Sequence, residues 1–392
     1  MTIDSDLAGS PPTEMEDEDT GSGGAAVKPW DPKKIRISTK NFTLREVVDQ
    51  INEGDIDLTP DFQRDYVWKQ RQRTRLVESI LLGIPLPAFY FNQDINGTYQ
   101  VVDGVQRLST VRLFVSDGHT LREDDLEYLR DLKDHTYSSM DPAMVRRFRA
   151  TQIVVHVIEP QTPDEVKYDI FSRVNTLGSP LSAQEIRHAM SKSRSRDLLK
   201  RLVELPAFDE ATGRHFWKVS PDEPNELVRD SKRMADRELA LRFCAFSSFS
   251  EEEYRQHESL DAFLLHFTRR IDGGSDGSAA INDARLAKLE ESFNRAMTNA
   301  IEVLGDAAFR RWPRRAKRRG PINRAVFEAQ AIALAEYPLA RLAPKAKRIV
   351  TAFRAAFDDE DYTRAVAVGT GDPIKISFRL NRTREILAEA VG

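Results

Sequence analysis

Between Ile35 and Met190 short apolar runs alternate with stretches whose apolar residues recur every three or four positions, a mixture that reads as α/β. In RQRTRLVESILLG, Leu76, Val77, Ile80 and Leu81 fall on one helical face and Gly83 ends the helix. Pro85, Pro87 and the run AFYF then describe a loop entering a strand, and YQVV at 99–102 and QIVVHVI at 152–158 read as two further strands. His156, inside the last of these, is expected to be a hydrogen-bonded structural histidine. Thr162, Pro163 and Glu165 stand at the spacing of N-cap, first helical residue and capping box, with Val166, Ile170 and Val174 as the buried stripe behind them. Asn175 and Gly178 are expected to end that helix, and Ser182 with Glu185 repeats the capping-box spacing for the next one. Beyond about residue 191 strand signals almost vanish. Amphipathic stretches such as RELALRFCAFSSF and ARLAKLEESFNRAMTNAIEVL take over, so the expected fold is α+β: an α/β domain over 34–190, then an all-α domain over 191–392.

Composition narrows the setting. The 392 residues carry 58 Lys plus Arg against 62 Asp plus Glu, a formal charge of −4, and 40% of positions are apolar, enough for more than one core. Every apolar run is interrupted well short of the roughly 20 residues a bilayer span needs, and the start, MTIDSDLAGSPPTEMEDED, lacks the basic and apolar stretches of a secretory signal. The single cysteine, Cys244, excludes an internal disulfide and a cysteine zinc cluster. A cytoplasmic protein is expected. Residues 1–33, rich in Gly, Pro and acids, read as a disordered acidic leader.

Three segments could carry chemistry. In YQVVDGVQRLST a strand runs into Asp103 and Gly104 and a helix follows at once, which leaves backbone N–H groups and a positive helix end at a strand's carboxyl edge, a setting that suits phosphate. Arg107 in the first turn is disfavoured by the helix dipole and easier to explain beside an anion. The competing reading is that Asp103 and Gln106, at N-cap and N3 spacing, merely cap the helix. In LTPDFQRDYVW, Gln63 and Arg64 lie among Phe62, Tyr66 and Trp68; Arg64 could hold phosphate while an aromatic stacks, or the aromatics simply pack the loop onto the helix at 71–82. In FSRVNTLGSPLSAQEIRHA, Arg173 and Asn175 close one helix, and a capped helix bearing Glu185, Arg187 and His188 begins after a turn. His188, with no partner ligand at metal spacing, is expected at the surface.

Together these segments resemble the N-terminal domain of GmrSD-type restriction enzymes. The hallmarks stand here as Pro60, Gln63, Arg64, Tyr66 and Trp68; Asp103, Gly104, Gln106, Arg107 and Leu108; and Phe171, Arg173, Asn175, Leu181, Ser182, Glu185, Ile186 and Arg187. The likeness extends through the helical half to KISFRLNRTREIL. Two departures stand out: Val105 replaces the first glutamine of the Asp-Gly-Gln-Gln-Arg-Leu motif, and the nuclease half that many relatives carry downstream is not expected in these residues. All seven histidines lie at or before His266, so no His-Asn-His metal nuclease is expected in the last third, and the chain is not expected to cut DNA on its own.

The resemblance implies a ParB and sulfiredoxin-like fold and an activity of nucleotide binding and hydrolysis coupled to defence against foreign or modified DNA. Sulfiredoxin chemistry needs a cysteine at the nucleotide loop, and the turn from Asp103 to Arg107 has none. On this reading the ligand is an NTP with Mg²⁺. The amides of Gly104 to Gln106 hold phosphate, Arg107 and Arg64 neutralise it, Asp103 holds the metal, Gln63 or Gln106 positions the attacking water, and Arg173 and Asn175 complete the wall. Alternatives from another class are a non-catalytic ParB-like DNA-binding adaptor and a structural partner of a separately encoded nuclease.

One further segment, RRWPRRAKRR, holds seven basic residues in ten: Arg310, Arg311, Arg314, Arg315, Lys317, Arg318 and Arg319. They read as charges paired within the fold, as a contact for the DNA backbone with Trp312 packing on a sugar or base, or as a seat for a partner protein or the acidic leader.

Overall fold

A computed structural model describes residues 15–21, 31–58, 68–174, 181–220, 226–230, 233–274 and 279–392. They form two compact units, one within residues 29–181, the other of residues 182–392 joined by the described leader residues.

The first unit is built on a five-stranded mixed sheet of order β1-β5-β3-β4-β2. Its strands are β1 (Ile37–Thr43), β2 (Ile56–Asp57), β3 (Phe89–Gln93), β4 (Tyr99–Asp103) and β5 (Gln152–Ile158). β1 runs antiparallel to β5 and β3 to β4, whereas β3 lies parallel to β5 and β2 to β4. Alternation explains which face is covered: Phe89, Phe91, Val101, Ile153, Val155 and Val157 point into one core. That core is closed by α1 (Leu44–Glu53), α2 (Gln70–Leu82), α3 (Val105–Val115) and α4 (Pro142–Ala150). Each fully buried Phe or Val contributes about 1.5–3 kcal/mol.

The predicted stripe of α2 is the buried one, and Gly83 closes the helix in the left-handed conformation at φ 77°. Trp68 packs against this core and its carbonyl accepts from Arg73 Nε at 2.8 Å. Glu78, on the same helix, is buried with its carboxylate accepting from the amides of Glu127, Tyr128 and Leu129. A loop that follows α3 is thereby pinned to α2.

α5 (Asp164–Val174) follows β5 and packs against β4. The Thr162 hydroxyl expected to cap it instead reaches Arg36, accepting from its amide at 3.1 Å and donating to its carbonyl at 3.0 Å. His156 bonds Thr39 across the β1–β5 ladder at 3.0 Å, the structural role expected of it.

The second unit is helical, apart from a hairpin of β6 (Trp217–Val219) and β7 (Leu227–Arg229). Its first helices are α6 (Ala183–Ala189), α7 (Ser193–Val203), α8 (Pro206–Ala211), α9 (Ala235–Phe246), α10 (Glu251–Tyr254) and α11 (Leu260–Ile271). Then come α12 (Asp283–Asn299), α13 (Arg324–Ala335), α14 (Leu339–Leu342), α15 (Ala346–Ala356), α16 (Glu360–Ala367) and α17 (Pro373–Val391). α9 and α13 are buried along almost their whole length.

Charges cross this core in a connected network. Arg379 of α17 and Glu328 of α13 are both fully buried; Nε donates to Oε1 at 2.7 Å, and Nη1 donates to the Thr370 carbonyl at 2.8 Å. Arg242 of α9 reaches Glu328 at 3.3 Å and Glu238 at 3.1 Å. Burial opposes the charge of Glu238, yet Arg242, Arg324 and Arg187 hold its pKa down at about 2. Among the described residues no helix is long and apolar enough to cross a membrane.

The leader departs from expectation. Residues 15–21, read from composition as disordered, lie on the helical unit because Glu18 pairs with the buried Arg242 and Glu16 with Arg311. His188 also departs: it is 1% exposed on α6, and burial together with Arg237 and Arg196 holds its pKa down at about 2. A seven-residue helix packed on all sides has no solvent face to give it.

Two outcomes follow from this packing. Glu328→Gln strands Arg379 in the core and is expected to destabilise the helical unit by about 3–5 kcal/mol in denaturant unfolding, more than the joint replacement Glu328→Leu with Arg379→Met. In the α/β unit, burial and Arg73 hold His119, which meets Thr74 Oγ1 at 3.1 Å, down at a pKa of about 4 from 6.5. The unfolded chain takes up this proton below about 6.5 while the folded unit stays neutral, so its stabilisation is present above that pH and is lost as pH falls toward 4. The thermal midpoint is expected to fall across this window, and His119→Gln to flatten the fall.

Candidate functional site

The turn that joins β4 to α3 has one backbone feature that sets everything near it. Gly104 is the N-cap of α3 with φ 99° and ψ 8°, a left-handed conformation, and no side chain caps the helix. Asp103 and Gln106 therefore do not form the capping pair that their spacing allowed. A Cβ at Gly104 would stand 2.2 Å from Cδ1 of Phe89, so only glycine fits here, on steric and on conformational grounds. Among the described residues, the first-turn N–H groups of α3, at the carboxyl end of β4, have no side-chain acceptor.

Arg107 takes an inward role that the sequence did not suggest. Its guanidinium lies 4.0 Å over the Phe89 ring, donates from Nη2 to Asp103 Oδ2 at 2.9 Å and to the Ala88 carbonyl at 3.2 Å, and from Nη1 to the Pro87 carbonyl. Burial lowers its pKa, with Asp103 acting in the opposite direction. The side chain thus ties the entry of β3 to the exit of β4. Nε–H and one Nη1–H have no acceptor among the described residues, and 12% of the side chain is exposed. Gln106 Oε1 is buried and has no hydrogen-bond partner among the described residues.

Beside this turn the β3–β4 ladder is irregular: register shifts between Tyr90 and Phe91, where Tyr90 pairs with Asp103. Such an irregularity re-aims side chains at the end of a strand. The Tyr90 ring lies 5.0 Å from that of His156, and Asn92 Oδ1 is buried with no partner among the described residues. The sequence reading missed Tyr90 and Asn92. Their signal was the alternation in AFYFN, whose Phe positions serve the core and whose polar positions point to the opposite face.

The other expected site residues divide as follows. Asp103, Gly104, Gln106 and Arg107 are brought together by one turn. Arg173 is exposed near the end of α5 and pairs with Asp169 one turn back at 2.9 Å. Gln63, Arg64 and Asn175 lie outside the described residues. No three His, Cys, Asp or Glu side chains among the described residues come together as a metal site, and Asp103 spends an oxygen on Arg107. The described residues therefore offer no all-protein metal cluster, and Asp103 is the carboxylate at this turn.

The Ser182, Glu185 and Arg187 motif builds the helical unit. Ser182 and Glu185 form the predicted capping box, with Glu185 Oε2 also accepting from Arg233 Nη2 at 3.2 Å. Arg187 is fully buried and reaches Asp261 of α11 at 2.5 Å.

The basic segment is largely engaged within the fold. Arg310 is buried and donates to the Gly320 carbonyl at 3.2 Å, Arg311 pairs with Glu16, Arg314 with Asp358 at 2.6 Å, and Arg319 with Asp306. Trp312 is half-buried: Arg354 lies over its ring at 4.3 Å and its indole N–H donates to the Ala316 carbonyl at 3.1 Å. Arg315, Lys317 and Arg318 are exposed in the same segment.

Gly104→Ala is expected to lower the thermal midpoint of the α/β unit sharply, because the added methyl meets Phe89 and the backbone must leave φ 99°. Adding Phe89→Ala is expected to recover only the part due to the clash, a coupling that a double-mutant cycle reads directly.

No curated protein matches the chain. Residues 44–191 match the family described as the GmrSD restriction endonuclease, N-terminal domain, a range that begins at α1 and ends just after α6. The Asp103–Arg107 turn lies inside the stretch that is similar to this family.

Proposed function

We propose that the chain is a nucleotide-binding, nucleotide-hydrolysing regulatory component of a restriction or anti-phage defence system that acts on foreign or modified DNA. One observation carries the nucleotide half: a helix start with no side-chain cap, entered through a left-handed glycine at the carboxyl edge of β4. Its N–H groups and dipole favour phosphate. The defence half rests on the family of residues 44–191.

In this reading the amides of Gly104, Val105 and Gln106 bind a terminal phosphate. Arg107 acts first by fixing the turn through Asp103 and Phe89, and second by adding positive charge through its remaining donors. Gln106 is assigned to orienting the attacking water, a role that requires its buried Oε1 to become accessible when the ligand binds. Gln63, Arg64 and Asn175 are assigned to the remaining wall from the family motif, and Arg173 to its rim. A divalent ion would arrive with the triphosphate. Val105, where the family motif has glutamine, removes one polar contact to the ligand.

A second reading, a non-catalytic DNA-binding adaptor beside a separately encoded nuclease, is favoured by one observation: Arg107 already satisfies most of its donors inside the fold.

Calorimetry with the common ribonucleoside triphosphates in the presence of Mg²⁺ separates the two readings. Binding of at least one triphosphate with phosphate release is expected, and Gln106→Leu is expected to keep binding while slowing release about a hundredfold. An absence of binding by every triphosphate would favour the adaptor. In either case the purified chain alone is expected to leave plain and modified plasmid uncut.

A further inference from the structure

Residues 15–21 of the leader occupy a built groove on the helical unit. The Glu16 amide donates to the Ile322 carbonyl at 2.9 Å, its carboxylate takes Arg311 and the Asn323 amide at 3.1 Å, and its carbonyl accepts from Arg324 Nη1 at 3.2 Å. The Glu18 carboxylate spans Arg242, accepting from Nη1 at 2.9 Å, and takes the Thr370 hydroxyl at 2.6 Å. The amides of Thr370 and Gly371 then donate to the Asp19 and Thr20 carbonyls at 2.9 and 3.0 Å. The groove floor is shaped for a backbone: a Cβ at Gly371 would stand 2.8 Å from the Thr20 carbonyl oxygen.

Nearly all of this attachment is ionic or hydrogen-bonded, with Met15 alone packing against the core. The Glu16–Arg311 pair is partly exposed and screened by salt, whereas the Glu18–Arg242 pair is buried, and Arg242 keeps Glu238 and Glu328 as partners when Glu18 leaves. Withdrawing the segment takes a carboxylate from Arg242 and the carboxylate from Arg311. The groove would then gain positive charge beside the exposed Arg315 and Lys317, which have no ion pair among the described residues.

We propose that residues 15–21 are a displaceable strap that competes with the backbone phosphates of a nucleic-acid strand for Arg311, Arg324 and the adjoining Arg315–Lys317 surface. Glu16 and Glu18 offer two anions in a row along an extended backbone, as a phosphodiester strand does. A polyanion has a further advantage, because its binding releases condensed counterions. The choice of nucleic acid over an acidic protein rests on the DNA-directed reading above.

The test uses full-length chain and fluorescence anisotropy with labelled single-stranded and duplex oligonucleotides, with hydrogen exchange at residues 15–21 as the readout of strap release. Two independent variants loosen the strap: Glu16→Gln with Glu18→Gln, which removes its charge, and Gly371→Ala, which leaves every charge in place and serves if the first fails to fold. Both are expected to speed exchange at 15–21 and tighten oligonucleotide binding about tenfold, with a log–log salt slope steeper by roughly one to two units. Arg311→Ala added to either is expected to cancel most of the gain. Faster exchange with unchanged affinity would overturn the strap. If affinity also falls on Arg315→Ala with Lys317→Ala, the nucleic-acid reading would stand without the strap; if no variant binds oligonucleotide, both fall. Displacement of the strap by a free peptide of residues 14–20, but by neither oligonucleotide, would assign the groove to an acidic protein instead.

Discussion

The Phe89 ring and the Cα of Gly104 lie so close that no side chain can stand between them, and the first unit is organised around that approach. The contact forces the chain through a left-handed residue on leaving β4, so α3 begins abruptly with no side-chain cap. It also gives Arg107 a ring to lie on and carbonyls to bind, which holds the entry of β3 against the exit of β4. A glycine that in isolation would cost helix stability here creates a patch of open amides at a sheet edge. The proposed phosphate site is a by-product of this packing rule, and its weakness as a cap is what leaves it chemically open.

The helical unit answers a different constraint, the burial of arginines. Arg187, Arg242 and Arg379 sit in the core, and each needs a carboxylate to compensate for lost water. Glu238 and Glu328 serve several of them at once, which links α6, α9, α13 and α17 into one network. Burial works against the charge of Arg242, but Glu18, Glu238 and Glu328 keep its pKa well above the ordinary value. The leader is therefore part of the charge balance of this unit. A cluster of acids that looked like a solubilising tail has a defined place because a buried cation needs one more partner.

Elements with strong periodicity were legible in the sequence. The stripe of α2, its Gly83 stop, the runs that became β3, β4 and β5, and the Ser182–Glu185 capping box are local signals, and local forces decide them. What stayed hidden depends on distant partners. β1 has few buried residues of its own and exists by pairing with β5, and β2 is two residues beside β4. Thr162 stood at cap spacing but was claimed by Arg36, 126 positions away. In the site, the strand–Gly–helix turn was legible from residue order, whereas the inward course of Arg107 was not, because nothing in YQVVDGVQRLST announces Phe89 beneath it. For the basic run at 310–319, pairing within the fold was one of the readings, but its partners Asp306, Asp358 and Glu16 are conspicuous only once folded.

The proposed function requires phosphate to lie at the start of α3. The most direct measurement is the response of the backbone amides of Gly104, Val105 and Gln106 in isotope-labelled full-length protein as a nucleoside triphosphate is titrated. The account predicts that these amides shift first and most, with Arg107 Nε following and the amides of the helical unit unmoved. Saturating nucleotide that leaves these three amides unshifted, or that shifts those of another region instead, would contradict it.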